Sequence, residues 1–424
     1  MKRYLIYFGS CHADFRVPEL QALCELCGVD PASMFEDSEA ESKALREKGP
    51  LLVVNLPSEE VACKILSRSV CVRRALELWG AGITLEEAVK DVKDYPQELI
   101  RPYCEDDSLT WGCQVGAINY KLKEEEQRSI REHFRFLAFS GTVALKNPQQ
   151  VFWVLEEFTR EPSYRPNRDP LAVYFGREIG TTSRDLINSL TLKKRCYLGP
   201  TSMDNELSLI MANMALARKG ALVMDPFVGT GSILVACAQM GGSCCIGTDI
   251  DIRVLRGKGE GDVFSNFDQY GLPRPEVVRS DNSLYHRHFR RMPGRGGLYD
   301  AVVCDPPYGV RAGARKCGTT RAPMRKQVDS QTTQEELNSL IPRTQVYAIS
   351  DVMADLLVVA ADILVLGGRL CYLIPSQYDV ALEDLPKHPC LEMVAHSMQP
   401  LGRVCRRLIT MRKIAVPSSV DGEG

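Results

Sequence analysis

Residues 221–231 read Ala-Leu-Val-Met-Asp-Pro-Phe-Val-Gly-Thr-Gly, and they indicate the architecture of the second half of the chain. A short apolar run ends at Asp225, two glycines follow, and an apolar segment of helical character begins at Ser232. This order predicts a buried strand, a tight turn and a helix. Gly229 and Gly231 let the backbone bend sharply and approach a ligand where a Cβ would clash.

From about residue 206 onwards, predicted strands and helices alternate. After the first strand, the predicted strands are Ser243–Thr248, Glu276–Arg279, Tyr299–Cys304, Arg369–Ile374, Leu391–Ser397 and Arg407–Met411, with a long helix at Ser350–Leu364. This alternation predicts an α/β domain whose sheet is covered on both faces. Acidic residues follow four successive strands, at Asp225, Asp249, Asp281 and Asp305. Because open α/β sheets bind ligands at the carboxyl ends of their strands, we expect a ligand site there.

The turn after the first strand has the properties of a nucleotide-binding loop. The helix that follows offers free N–H groups and a dipole that favour a carboxylate. Asp249 can accept hydrogen bonds from both hydroxyls of a ribose, and Asp281 can accept one from an adenine amino group. The alternative for each aspartate is a helix N-cap, and the alternative for the glycines is an ordinary strand-to-helix turn. The phosphate-loop pattern GxxxxGK[ST] and the dinucleotide pattern GxGxxG are both absent. The candidate cofactor-binding residues are Asp225, Pro226, Phe227, Gly229, Thr230, Gly231, Asp249, Ile250 and Asp281.

The candidate catalytic residues follow the fourth strand and are Asp305, Pro306, Pro307 and Tyr308. Two prolines fix an extended backbone without donors and leave its carbonyls free to accept hydrogen bonds. The exocyclic amino group of a nucleic-acid base is a poor nucleophile because its lone pair is delocalised into the ring. If its two N–H groups donate to the Asp305 carboxylate and the Pro306 carbonyl, the nitrogen becomes more tetrahedral and its lone pair more available. Tyr308 offers a face on which a flipped base can stack, worth about 1–3 kcal/mol. The alternative is a rigid proline turn with a core tyrosine.

The net charge of −2 excludes a globally basic nucleic-acid binder, so positive charge for RNA must be local. One basic group precedes the catalytic half and another follows the catalytic motif, where arginines can neutralise phosphates. A solvated loop without RNA contacts is the alternative for the second group. The candidate RNA-binding residues are Lys193, Lys194, Arg195, Arg311, Arg315 and Lys316.

Sixteen cysteines without a secretion signal indicate a reducing, cytoplasmic setting. Only Cys24 and Cys27 have CxxC spacing, and they lie in an apparent helix, so we expect apolar packing there and no metal site. No apolar stretch reaches the roughly 20 residues that span a bilayer, so no membrane association is expected.

The N-terminal half is predicted as an α+β region. Strands are expected at Lys2–Phe8 and Leu51–Asn55, a long helix at Ser58–Trp79, and a polar surface loop at Asp30–Lys48. Thr84 and Glu87 have the spacing of a capping box. The predicted division of the chain is an N-terminal α+β region (1–158), a proline-containing linker and lead-in (159–205), a catalytic domain (206–416) and a disordered tail (417–424).

At the glycine loop and the Asp305–Tyr308 motif, the chain resembles the class I S-adenosylmethionine (SAM)-dependent methyltransferases that methylate amino groups. The resemblance implies a Rossmann-like catalytic domain and SAM as cofactor. It leaves open adenine N6, cytosine N4, guanine N2 and protein glutamine as targets. Enzymes of the last group usually have Asn where this chain has Asp305, which counts against that target.

The N-terminal half narrows the choice of substrate. Residues 141–148 (Gly-Thr-Val-Ala-Leu-Lys-Asn-Pro) and 151–154 (Val-Phe-Trp-Val) resemble the closing portion of a THUMP domain, an RNA-binding module. Together with residues 75–80, 174–177, 193–195, 199–204 and 406–411, they resemble the eukaryotic THUMP-containing tRNA guanine-10 N2-methyltransferases. The resemblance implies tRNA as substrate and a heterodimer with a small zinc-binding activator subunit. The alternatives are an N6-adenine methyltransferase of RNA or DNA, and a non-catalytic RNA-binding subunit.

Overall fold

The computed structural model describes residues 1–159, 169–182, 185–199, 202–241, 244–287, 289, 296–307, 313–318 and 344–417. The chain forms two compact units, Met1–Ser183 and Arg184–Gly424. Each unit contains a seven-stranded sheet. Within the described residues, no helix is long and apolar enough to cross a membrane.

The first unit is a mixed sheet in the order β2-β1-β3-β7-β6-β4-β5. Its strands are β1 (Lys2–Phe8), β2 (Leu51–Leu56), β3 (Val72–Gly82), β4 (Thr110–Ile118), β5 (Thr142–Val143), β6 (Gln150–Glu157) and β7 (Ala172–Thr181). Its helices are α1 (Arg16–Leu26), α2 (Ser38–Glu47), α3 (Glu59–Arg68), α4 (Leu85–Asp94), α5 (Gln97–Cys104) and α6 (Glu124–Glu132). The core centres on Trp79, which is fully buried and packs against Phe152 and Phe175 with ring centroids 5.3 and 6.0 Å away.

The helix predicted over Ser58–Trp79 is wrong beyond α3. Glu19, fully buried on α1, accepts hydrogen bonds from Ser69 Oγ (2.7 Å), Val70 N (2.9 Å) and Cys71 N (2.9 Å). These bonds end the helix and turn the chain into β3, which pairs with β1 and β7. The apolar residues of this segment fit the periodicity of a helix as well as that of a strand. The Glu19 carboxylate, 50 residues before Ser69, decides between the two.

Three further predictions concern this unit. The capping box is confirmed, since Thr84 Oγ1 accepts from Glu87 N (3.2 Å) and the Glu87 side chain accepts from the Thr84 backbone. The polar stretch 30–48 contains α2, capped by Asp37, so it is not a plain loop. The expected linker and lead-in, 159–205, includes β7, which pairs with β3 and β6, so the first unit extends beyond the predicted boundary at residue 158.

The second unit confirms the α/β class, with strand order β10-β9-β8-β11-β14-β16-β15. Strands β8 to β11 and β14 run parallel, and β15 and β16 are antiparallel additions. The strands are β8 (Leu222–Asp225), β9 (Cys244–Asp249), β10 (Glu276–Arg279), β11 (Tyr299–Cys304), β14 (Leu364–Ser376), β15 (Leu391–Leu401) and β16 (Val404–Lys413), with a separate ribbon of β12 (Arg315–Cys317) and β13 (Thr344–Val346). The helices are α7 (Asp185–Ser189), α8 (Asn205–Met214), α9 (Ser232–Gln239), α10 (Ile252–Arg256), α11 (Val263–Gln269) and α12 (Ile349–Ile363).

The strand order reverses between β8 and β11. The chain passes from β8 outwards to β9 and β10, and then returns to the other side of β8 as β11. Such a reversal opens a crevice at the carboxyl ends of the two central strands. The four strand-end aspartates lie at this edge.

Candidate active site

Three of the predicted carboxylates converge at the crevice. Asp225 is the last residue of β8 and Asp249 the last of β9, while Asp305 follows β11 directly. Asp225 is 1% exposed, and its carboxylate accepts from Phe227 N at 2.9 Å. Burial raises the pKa of Asp225 well above its usual value; the Phe227 hydrogen bond opposes this rise, and the negative charges of Asp249 and Asp305 add to it.

Asp249 holds the glycine loop in place. Its Oδ2 accepts from Gly229 N at 3.0 Å and its Oδ1 from Asp251 N at 2.9 Å. Asp251 caps α10 through Arg253 N, so the N-cap alternative for Asp249 is wrong. Burial raises the pKa of Asp249, against the effect of its backbone hydrogen bonds.

Gly231 adopts a φ of +80° directly before α9, a conformation that favours glycine. A Cβ at this position would lie 3.0 Å from Val263 Cγ1 on α11. On the neighbouring strand, a Cβ at Gly247 would lie 2.5 Å from Val228 Cγ2, so the loop packs closely on β9. The sequence predicted the turn, and the structure adds the reason why its glycines cannot easily be replaced.

Asp281 lies two residues beyond β10 and is buried. Its Oδ1 accepts from the N–H and hydroxyl of Ser283 (3.0 and 2.8 Å), and its Oδ2 accepts from Cys317 N at 2.5 Å. The same carboxylate therefore fixes the turn after β10 and holds the β12–β13 ribbon beside the crevice.

The remaining loop residues support the site through their backbones. Pro226 O accepts from Asn282 Nδ2 at 2.7 Å, and Thr230 O accepts from Asn266 Nδ2 at 2.9 Å. Ile250 O accepts from Arg279 Nε at 3.2 Å. These contacts fix the loop conformation that the sequence could only suggest.

Asp305 is half-buried and Pro306 buried, at the crevice side of β11. Arg406 Nη1 on β16 lies 3.9 Å from Asp305 Oδ2, and both side chains are about one-fifth exposed, at 21% and 22%. Arg406 Nε donates to Gln399 Oε1 at 2.6 Å, which holds the guanidinium in place. No local sequence pattern links Arg406 to Asp305, about 100 positions earlier, so only the structure places Arg406 at the site.

The predicted RNA-binding residues separate in the structure. Lys193 and Lys194 are exposed, whereas Arg195 is 7% exposed and donates to Ser232 Oγ at 2.8 Å. Arg195 is therefore not available to a phosphate, because its guanidinium is directed at the start of α9.

The second basic group is partly engaged within the chain. Arg315 Nε donates to Thr344 Oγ1 at 2.5 Å and remains exposed. Lys316 Nζ lies 3.7 Å from an Asp351 carboxylate oxygen and 4.9 Å from the centre of the Tyr347 ring. Tyr308 and Arg311 lie outside the described residues.

Cys24 is buried, with its Sγ 2.9 Å from Met34 Sδ, as expected for apolar packing. Among the residues that the structure describes, no group of three or more His, Cys, Asp and Glu side chains could hold a metal ion.

Comparison with known proteins covers nearly the whole chain. Residues 2–184 match a family model described as Tmrp11 THUMP N-terminal domain, and residues 193–322 match one described as RMKL-like, methyltransferase domain. The tRNA (guanine(10)-N(2))-methyltransferase TRMT11 of Homo sapiens is 37% identical over 430 residues, covering 98% of this chain and 89% of that protein. The Gallus gallus TRMT11 is 36% identical (98% and 88% covered), and the tRNA (guanine(10)-N(2))-methyltransferase of Schizosaccharomyces pombe is 33% identical (98% and 90%). The crystal structure of TrmN from Thermus thermophilus aligns with 97% of this chain and 100% of its own at 16% identity and a TM-score of 0.44.

Proposed function

The chain belongs to the tRNA (guanine(10)-N(2))-methyltransferase family, and we propose on this basis that it is a catalytic subunit that methylates the exocyclic N2 of guanosine 10 in tRNA. The observation that carries the proposal is the convergence of Asp225, Asp249 and Asp305 with the glycine loop at one crevice. An electrophilic methyl group on a sulfonium is what SAM supplies to this chemistry.

The residues at the crevice fit SAM. A buried carboxyl such as Asp225, whose ionisation is disfavoured by burial, gains from a nearby cation, and SAM carries one. The glycine loop and the start of α9 suit the carboxylate of its amino-acid end. We assign Asp249 and Ile250 to the side of the site that takes the ribose, and Asp281 to the side that takes the adenine.

Asp305 and Pro306 orient the target amine. Their carboxylate and carbonyl oxygens accept the two amino hydrogens, which favours a tetrahedral nitrogen with a directed lone pair. Pro307 keeps this backbone extended. Tyr308 is proposed from the sequence to stack on the flipped base. No general base is required, because the proton leaves the nitrogen after methyl transfer.

The exposed Lys193 and Lys194, together with Arg311 and Arg315, are proposed to contact tRNA phosphates. Such contacts position the tRNA without reading its sequence, so their removal is expected to weaken binding of all tRNAs alike. Lys316 is a weaker candidate, since Asp351 already lies within ion-pair distance of it.

We propose that the zinc-binding activator adds a strand to the free edge of β10. Among the described strands, β10 pairs only with β9, and its Val278 is 45% exposed. The carboxyl end of β10 leads directly to Asp281, so a partner there would stabilise the cofactor side of the crevice. Val278→Lys is expected to abolish co-purification of the activator, whereas Val404→Lys, at another valine about half exposed, is not. The reverse result would place the partner elsewhere.

The cytoplasm is the proposed location. All sixteen cysteines are free thiols, including those at the surface, which is typical of proteins kept in a reducing compartment.

The decisive experiment is methylation of unmodified tRNA with labelled SAM, with the activator present, followed by nucleoside analysis. The label is expected in N2-methylguanosine, and an Asp305→Asn protein is expected to lose at least about a hundredfold in kcat while still binding SAM. Label in methyladenosine would refute the proposed substrate, and full activity of the Asp305 variant would refute the proposed mechanism.

A further inference from the structure

Arg195 is a buried cation whose described neighbours do not neutralise it. Its Nη1 donates to Ser232 Oγ at 2.8 Å and its Nη2 to Leu190 O at 3.2 Å, while its Nε has no hydrogen-bond partner among the described residues. The Tyr270 ring lies 5.9 Å from the guanidinium carbon. Within the described part of the chain, no carboxylate forms an ion pair with Arg195. Burying a charge without a counter-charge is costly, so an anion is expected nearby.

The residue that Arg195 contacts is the first residue of α9. The start of an α-helix carries unpaired N–H groups and a partial positive charge. Gly231, before the helix, offers no side-chain cap, and the first turn of α9 contains no acidic residue. The nearby Asp249 directs its oxygens to Gly229 N and Asp251 N instead. Two positive sources therefore meet at the glycine loop.

The segment that carries Arg195 also clasps the loop. Asn266, fully buried on α11, accepts from Tyr197 N and donates to Tyr197 O and Thr230 O, all at 2.9 Å. Ser202 Oγ lies 3.1 Å from Thr230 Oγ1. These bonds fix the position of Arg195 relative to the loop, since both ends of the contact are held by the same buried amide.

We propose that Arg195 is a positioning residue that supplies positive charge for the carboxylate at the amino-acid end of the methyl donor, acting through Ser232 and the start of α9. This inference rests on the proposed function of the crevice as the SAM site. It assigns Arg195 to the cofactor and leaves Lys193 and Lys194 to the RNA.

The test compares SAM with decarboxylated SAM, which keeps the sulfonium and the adenosine but lacks the carboxylate. Affinities are measured by calorimetry on the full chain with its activator. Arg195→Gln is expected to weaken SAM binding about tenfold and to change the affinity for decarboxylated SAM less than about twofold. Arg195→Lys keeps the charge and is expected to retain most of the preference for SAM.

Two controls separate charge from scaffolding. Asn266→Ala loosens the loop and is expected to weaken the binding of SAM and of decarboxylated SAM alike. Lys194→Gln changes an exposed neighbour of Arg195 and is expected to weaken only the binding of tRNA. Thermal unfolding of each protein reports its stability. If Arg195→Gln does not fold, the Arg195→Lys protein decides: a loss of the preference for SAM would overturn the proposal.

If Arg195→Gln weakened the binding of SAM and of decarboxylated SAM equally, the proposal would also be overturned, since the residue would then only support the fold. Weaker tRNA binding with unchanged SAM affinity would overturn it in favour of an RNA contact. A wild-type protein that binds neither ligand would refute the proposed function itself, which distinguishes the two failures.

Discussion

Replacing Arg406 by glutamine tests the ion pair between Arg406 and the proposed catalytic carboxylate of Asp305. At the observed 3.9 Å, two unit charges attract by about 4 kcal/mol at an effective dielectric constant of about 20. Because both side chains are about one-fifth exposed, solvent screens most of this attraction and about 1 kcal/mol remains. A loss of about 1 kcal/mol in the positioning of the Asp305 carboxylate corresponds to about a fivefold lower kcat.

The expected change concerns the position of the carboxylate. Gln399 holds Arg406 at ion-pair distance from Asp305 Oδ2, so removal of the guanidinium frees the Asp305 side chain to turn away from the amine hydrogen. The kcat of the Arg406→Gln protein is therefore expected to fall, whereas its affinity for SAM is expected to stay unchanged.

The assay is kcat for tRNA methylation at saturating SAM, with the affinity for SAM measured by calorimetry. Arg403→Gln is the matched control, because Arg403 is exposed at the turn before β16. It is expected to leave kcat unchanged. An unchanged kcat for Arg406→Gln would refute the role of the ion pair, and a loss of the same size for Arg403→Gln would show that the effect is not specific to it.

Three other changes test the fold and the loop. Gly231→Ala places a non-glycine residue at φ +80° and a methyl group 3.0 Å from Val263 Cγ1. The free energy of SAM binding, measured by calorimetry, and the free energy of unfolding, measured in urea, should each fall by about 1–2 kcal/mol. Unchanged values would contradict the loop geometry. Glu19→Ala removes the acceptor of the Ser69 hydroxyl and of two backbone N–H groups, so the free energy of unfolding is expected to fall. A loss of less than about 2 kcal/mol would show that these bonds do not hold the turn. Because the pKa of Asp225 is raised in the folded protein, its contribution to stability is present at low pH and is lost as the pH rises above the usual carboxyl value. Urea unfolding at several pH values should therefore show that Asp225→Asn loses less of its free energy of unfolding as the pH rises than the wild-type protein does. An identical pH dependence of the two proteins would be inconsistent with the raised pKa.

Local sequence patterns predicted much of the secondary structure of the catalytic half. The strand at Glu276–Arg279 and the strand at Tyr299–Cys304 have the predicted bounds, because short apolar runs between turn residues leave little choice of structure. The turn at Gly229 and Gly231 was predictable for the same reason. That the strand-end aspartates share one edge followed from the parallel order of the strands, which the alternation with helices implies.

Contacts between distant parts of the chain decided the rest. The α/β class of the second unit, the glycine loop and the carboxylates at the strand ends could be predicted, since these features depend on periodicity and turn chemistry within a few residues. Only the tertiary structure turned residues 72–82 into a strand, through the buried Glu19, and only it buried Arg195 and brought Arg406 to Asp305. The physical reason is that the environment of a charged side chain, and so its role, is set by the groups that surround it in space, and these come from segments tens to about a hundred residues away.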